Sequence, residues 1–129
     1  MAGKSVLVVD DSPTLRKMVI FALKKMYDIE NKYEAGDGLE ALEILSGHKV
    51  DFIICDINMP NMNGLEFLYR VKNHEEFKNI PIIMLTTEGR EEDKQRALKL
   101  GADGYVVKPF KPDILKKEID KAFEKYGIK

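Results

Sequence analysis

The sequence predicts an α/β domain in which a five-stranded parallel sheet carries helices on both faces. Three observations support this. Continuous apolar runs of strand length alternate five times with stretches whose apolar residues recur at helical spacing. Parallel strands joined in this way need right-handed crossovers, which pack each helix back on the sheet. No linker, low-complexity tract or charge block interrupts the series, so residues 1–129 read as one domain around a single core.

"SVLVVD" is a β-branched run of the kind buried on both faces of a parallel sheet. Ser12 then offers an N-cap and Pro13 a first helical position, followed at helical spacing by Leu15, Met18, Val19, Ala22, Leu23 and Met26. A weaker strand lies near Ile29 to Ala35, with a helix from Gly38 to Leu45 closed by Gly47. "VDFIICD" is the third strand, and its helix runs through Leu65, Leu68 and Val71. "IPIIMLTT" leads to a helix carrying Ala97, Leu98 and Leu100, stopped by Gly101. "GYVVK" precedes a last helix with Leu115, Ile119, Ala122, Phe123 and Tyr126 on one face.

Composition excludes several classes of function. The 21 basic and 22 acidic residues give a formal net charge of −1, whereas phosphate backbones select clustered positive charge. Nucleic acid is not an expected partner. The first residues, MAGKSVLVVDD, hold an apolar stretch too short for a signal peptide or a membrane span, so a cytoplasmic protein without membrane insertion is expected. The single cysteine, Cys55, rules out an intramolecular disulfide and reads as an inert core thiol. His48 and His74 read as solvent-exposed structural residues, and Met59 and Met62 as packing around Pro60 rather than soft metal ligands. The lysines at 111, 116, 117, 121 and 125 read as the wet face of the last helix.

The strand ends carry the chemistry. In open α/β sheets ligands gather beyond the carboxyl ends of the strands, where strand order reverses. Here the first strand ends in Asp10 and Asp11, the third in Asp56, the fourth in Thr86 and Thr87, and the fifth in Lys108-Pro109. Asp56 is followed at once by the loop residues of "INMPNMNG", as though its strand exists to present it. Two like charges about 4 Å apart repel by roughly 4 kcal/mol at an effective dielectric near 20, so converging carboxylates need a proton or a cation. A hard divalent cation fits, because Mg²⁺ takes one or two carboxylates, keeps waters and accepts a phosphate oxygen. Lys108 and Thr86 would add a charge and a hydrogen bond to the same phosphate.

"VLVVDDS", "DINMPNMNG", "MLTTEG" and "GYVVKPF", in this order and at these spacings, resemble the receiver domain of bacterial two-component response regulators over essentially the full length. "NMPNMNGLE", "GYVVKPF" and "FEKYGI" further resemble the stand-alone chemotaxis members of that family. The resemblance implies a flavodoxin-like three-layer fold with strand order 2-1-3-4-5 and five helices. It implies Asp56 as phosphoacceptor and Asp11, Asp10 (partly through water), Asp56 and the backbone carbonyl of Asn58 as the Mg²⁺ site, where Mn²⁺ can substitute. Lys108 matches the lysine that pairs with the phosphoryl group, and Lys108-Pro109 the family's cis peptide. Thr86 matches the switch hydroxyl and Tyr105 the aromatic that follows it; Asn58 and Glu88 match positions that tune phosphoryl lifetime. Thr87 departs from the family's usual small residue, which would crowd access to Asp56.

The implied function is a phosphorylation-activated regulator that catalyses its own phosphorylation and dephosphorylation without being a conventional enzyme. Implied partners are a histidine kinase, a flagellar motor switch protein or other protein target, and a phosphatase, with the regulator itself a monomer. The target would meet the surface formed by the fourth helix, fifth strand and fifth helix. The alternative within the family is a phosphorelay intermediate serving a histidine phosphotransfer protein. An aspartate-nucleophile phosphohydrolase would need a general acid where Asn58 stands. A flavin carrier would need a first loop free of the repulsion from Asp10 and Asp11.

Overall fold

The structure, a computed structural model, describes residues 3–129. Met1 and Ala2, part of the N-terminal reading and of the span 1–129, lie outside the described residues. The elements are β1 (Lys4–Val9), α1 (Pro13–Met26), β2 (Ile29–Ala35), α2 (Gly38–Gly47), β3 (Phe52–Cys55), α3 (Gly64–Lys72), β4 (Ile82–Thr86), α4 (Glu91–Lys99), β5 (Gly104–Val107) and α5 (Pro112–Tyr126). The strands are parallel in the order β2-β1-β3-β4-β5, as the resemblance implied.

Strand alternation divides the core into two layers. Leu7, Val9, Ile53, Cys55, Ile82 and Met84 face α2, α3 and α4, where they meet Ala41, Leu45, Phe67, Leu68, Val71 and Ala97. Val6, Val8, Phe52, Ile54, Ile83 and Leu85 face α1 and α5, against Val19, Ile20, Leu23, Leu115, Ile119 and Phe123. Consecutive residues of one apolar run thus serve opposite layers, which is why β1, β3 and β4 read as unbroken hydrophobic stretches. β2 is an edge strand with exposed Glu30, Asn31 and Lys32, hence its weak signal. Among the described residues no helix is long and apolar enough to cross a membrane.

Three details correct the sequence reading. The apolar stripe of α1 passes through Val19, Ile20 and Leu23, leaving Met18 at 55% exposure despite its helical spacing. Gly47 is the last residue of α2 rather than its stop; His48 is the cap, in extended conformation, with its N–H on the Ile44 carbonyl. α4 buries only Asp93 and Ala97, and Leu98 faces outward. The Ser12 cap and Pro13 start of α1 stand as read, with Ser12 Oγ accepting from the Leu15 N–H at 3.2 Å.

At the amino edge of β4 and β5, Asp103 ties three elements together. Its Oδ2 accepts from Lys72 Nζ and the Ile82 N–H, each at 2.9 Å. Its Oδ1 accepts from Lys125 Nζ and the Tyr126 hydroxyl, also at 2.9 Å. Burial opposes ionisation, but Lys72, the Ile82 amide and Lys125 outweigh it and hold the carboxyl below its ordinary value. Tyr126 moves upward, by burial first and then by the Asp103 carboxylate. A depressed folded-state pKa contributes stability above the ordinary value of 3.8, and that contribution is lost as pH falls through the folded value. Asp103→Asn is therefore expected to cost about 2 kcal/mol at neutral pH, by leaving buried donors short of acceptors. Urea unfolding should show the cost shrinking as pH falls below ~4, where the unfolded chain's carboxyl takes up a proton first and the folded one follows at lower pH. An equal cost at both pH values would sink this account.

Candidate functional site

The carboxyl edge of the sheet has the opposite character. β1 lies between β2 and β3, so chain order reverses direction at the β1/β3 boundary and leaves a crevice there. Parallel register places Val9 beside Cys55, and the next residue on each strand is an aspartate. The Asp10 N–H bonds the Ala35 carbonyl at 3.0 Å and the Asp56 N–H bonds the Val9 carbonyl at 2.9 Å, so both backbones are fixed by the sheet. Asp10 and Asp56 are 5% and 7% exposed, whereas Asp11 stands in solvent.

These three residues each offer a carboxylate oxygen within 4.8 Å of the others. Lys108, carried in by β5, reaches between them: Nζ donates to Asp10 Oδ2 at 2.7 Å and to Asp56 Oδ2 at 3.2 Å. Asp56 Oδ1 is separately engaged by the Ile57 N–H at 2.7 Å. Asp10 Oδ1 accepts from the Ser12 N–H at 2.9 Å, which gives this aspartate a part in starting α1 as well. One ammonium does not balance three carboxylates, so the cluster keeps a surplus of negative charge that favours a further cation.

The fourth strand joins this cluster to α4. Thr86 is fully buried, its carbonyl accepting from the Lys108 N–H at 2.8 Å and its Oγ1 from the Glu88 N–H at 3.3 Å. Glu88 is the junction of the loop. Its carboxylate accepts from Asn58 Nδ2 at 2.6 Å, and its carbonyl accepts from the Tyr105 hydroxyl. Tyr105 is half-buried, and its hydroxyl is pushed above the ordinary phenol range by burial, then by Asp93, Glu88 and Asp56. Thr87, the residue after β4, is exposed. The Lys108-Pro109 peptide is cis.

Two contributors were not singled out from the sequence. Gly64 begins α3 beneath the loop after β3, where a Cβ would stand 1.9 Å from the Asp56 carbonyl oxygen. Its N–H closes that loop on the Ile57 carbonyl at 2.8 Å. Arg16, on the first turns of α1, donates to the Asp10 carbonyl at 2.6 Å and to Glu34 at 2.9 Å. Its neighbours in sequence give no sign of either contact.

Other sequence readings resolve simply. Cys55 is fully buried, and burial, followed by Asp56 and Asp10, pushes its thiol upward, which keeps it un-ionised. His48 and His74 are exposed but not partnerless: His48 lies tilted against Tyr33 with ring centroids 4.6 Å apart, and His74 stacks on Phe77 at 4.1 Å. Met62 is buried in the core and Met59 packs against it.

Comparison with known families follows from this geometry: residues 6–120 match the response regulator receiver domain. The chain belongs to the response regulator receiver family. It is similar to the chemotaxis protein CheY-3 of Vibrio cholerae, 40% identical over 120 residues that cover 93% of this chain and 92% of that one. It is also similar to the chemotaxis protein CheY of Pseudomonas aeruginosa, 38% identical over 93% of this chain and 96% of the relative. Among solved structures, the chemotaxis response regulator CheY4 of Vibrio cholerae superimposes with a TM-score of 0.84 at 40% identity, covering 94% of this chain and 99% of that one.

The protein is a CheY-like receiver. The receiver's donor set fits a hard divalent cation. It consists of oxygen alone, without histidine or cysteine, and the exposed Asp11 leaves one side open to water.

Proposed function

We propose that this receiver accepts a phosphoryl group on Asp56 from a histidine kinase, in a Mg²⁺-dependent reaction, and that the modified form binds a chemotaxis target, the flagellar motor switch. The convergence of Asp10, Asp11 and Asp56 at the β1/β3 crevice, with Lys108 bridging Asp10 and Asp56, carries this reading. The relatives named as chemotaxis proteins support the choice of target.

The residues divide the work by atom. Asp56 Oδ1 is held by the Ile57 amide, so Oδ2, the oxygen on the Lys108 side, is the nucleophile. It forms a bond to phosphorus as the bond from phosphorus to the donor's imidazole nitrogen breaks. That nitrogen keeps the electron pair and takes a proton from water. Asp10, Asp11, Asp56 and the Asn58 carbonyl would hold the cation, which when bound supplies neutralisation and alignment for the phosphoryl oxygens. Lys108 passes from the two carboxylates to a phosphoryl oxygen, a stronger charge-assisted partner. The buried Thr86 hydroxyl turns its proton toward the same group.

A phosphoryl group adds roughly −1.5 to −2 charges and three acceptor oxygens, which is ample to bias a two-state neighbour. That neighbour is the β4–α4 loop, where Glu88 joins Asn58 at the site to Tyr105 on β5. Output then passes through the surface of α4, β5 and α5.

The test is intact mass after incubation with a small phosphodonor and Mg²⁺. One labile adduct is expected, and none where a chelator is present from the start. Thr87 sets the rate in this reading, because it is exposed and directly follows β4 at the carboxyl edge of the sheet. Thr87→Ala is expected to speed both adduct formation and its decay several-fold, followed by mass against time. Unchanged rates would remove Thr87 from the account.

A further inference from the structure

The peptide that follows β1 sets where Asp11 points, and the sheet fixes only half of it. The Asp10 N–H is paired with β2 through Ala35, but the Asp10 carbonyl lies past the last ladder bond of β1. That carbonyl is taken instead by Arg16, whose Nη1 donates to it at 2.6 Å. The guanidinium is itself fixed, since Nε donates to Glu34 Oε1 at 2.9 Å and its side chain is only 16% exposed. Glu34 is anchored in turn by Lys17 at 2.6 Å.

We infer that Arg16 is a positioning residue for the cation site: by clamping the Asp10 carbonyl to Glu34 on β2, it orients the Asp10-Asp11 peptide and hence both carboxylates. The inference rests on the Mg²⁺-dependent reading above. Arginine suits the task because its planar fork meets two acceptors at once in fixed directions, which a lysine ammonium does not. Hydrogen-bonded supports of this kind commonly change metal affinity 10- to 100-fold when removed.

The sign of the effect separates positioning from charge. Arg16 is a cation near a cation site, so if it acted only through space its removal would tighten Mg²⁺ binding. If it acts by orientation, removal weakens binding. The experiment is a Mg²⁺ titration of the wild type, Arg16→Met and Arg16→Lys, followed by two-dimensional amide NMR, with thermal midpoints measured without Mg²⁺. Arg16→Met is expected to weaken Mg²⁺ about tenfold or more. Arg16→Lys, which keeps the charge and loses the fork, is expected to fall between. Affinity unchanged or tightened in Arg16→Met overturns the inference. Should Arg16→Met fail to fold, wild-type affinity in Arg16→Lys overturns it instead. A wild type that shows no Mg²⁺-dependent shift at Asp10, Asp11 or Asp56 overturns the reading beneath it, and the inference with it.

Discussion

Replacing Asp56 by asparagine is expected to abolish the phosphoryl adduct entirely, under conditions where the wild type is modified once per chain. The substitution is nearly isosteric and keeps an oxygen for the Ile57 N–H, which holds the side chain at 2.7 Å. It removes the second carboxylate oxygen, the one Lys108 faces at 3.2 Å, and with it the nucleophile. An amide in its place can neither attack phosphorus nor share the charge of a bound cation. The same change relieves repulsion among three carboxylates whose oxygens lie within 4.8 Å. Asp56→Asn should therefore melt no lower than the wild type, so that loss of the adduct cannot be ascribed to unfolding. Intact mass and thermal melting on the same sample decide it. An adduct on the asparagine variant would move the phosphoacceptor elsewhere.

Gly64→Ala should be the most damaging glycine-to-alanine change among the described residues. The added Cβ would stand 1.9 Å from the Asp56 carbonyl oxygen and 2.8 Å from Ile57 Cα, both backbone atoms held by the sheet and the loop. Neither can swing aside as a side chain would. The loop after β3 must move, and with it Asn58 and the path of the chain behind Asp56. Overpacking of this kind costs about 3 kcal/mol or more, which corresponds to a drop of roughly 10 °C in thermal midpoint for a domain of this size. Gly38 is the control. A Cβ there would meet Met62 at 2.7 Å, but through the flexible Cγ and Sδ of its side chain. Gly38→Ala is expected to cost far less. If both variants melt together, the close approach at Gly64 is not the cause of its sensitivity.

Much of this molecule was legible in its sequence, for reasons that differ by region. Central strands were plain because residues facing opposite layers are all apolar, as in "VLVV" and "FIIC". Helical spacing alone could not rank Met18 against Ile20, since the stripe that is buried depends on how α1 is rotated against the sheet. α4 was hardest, because a helix that buries only Asp93 and Ala97 has almost no apolar face to read. The acidic cluster was legible because strand ends are countable and a parallel sheet brings them to one edge. The order of strands came from the family resemblance, as apolar runs do not say which strand lies beside which. Arg16 and Gly64 act through backbone atoms, a carbonyl in one case and a forbidden volume in the other. Neither contact leaves a periodic trace.

The pinning of Asp103 has a consequence for how such a molecule can change over generations. With both carboxylate oxygens occupied at the amino edge, by Lys72, Lys125, Tyr126 and the Ile82 amide, α3, β4 and α5 are fastened away from the reacting end. Loops at the carboxyl edge are then relieved of holding the layers together. Exposed Asn58 and Thr87 can be exchanged with little cost to the framework. Changes at the carboxyl edge thus act on the site, whereas changes at Asp103 act on the framework that carries it.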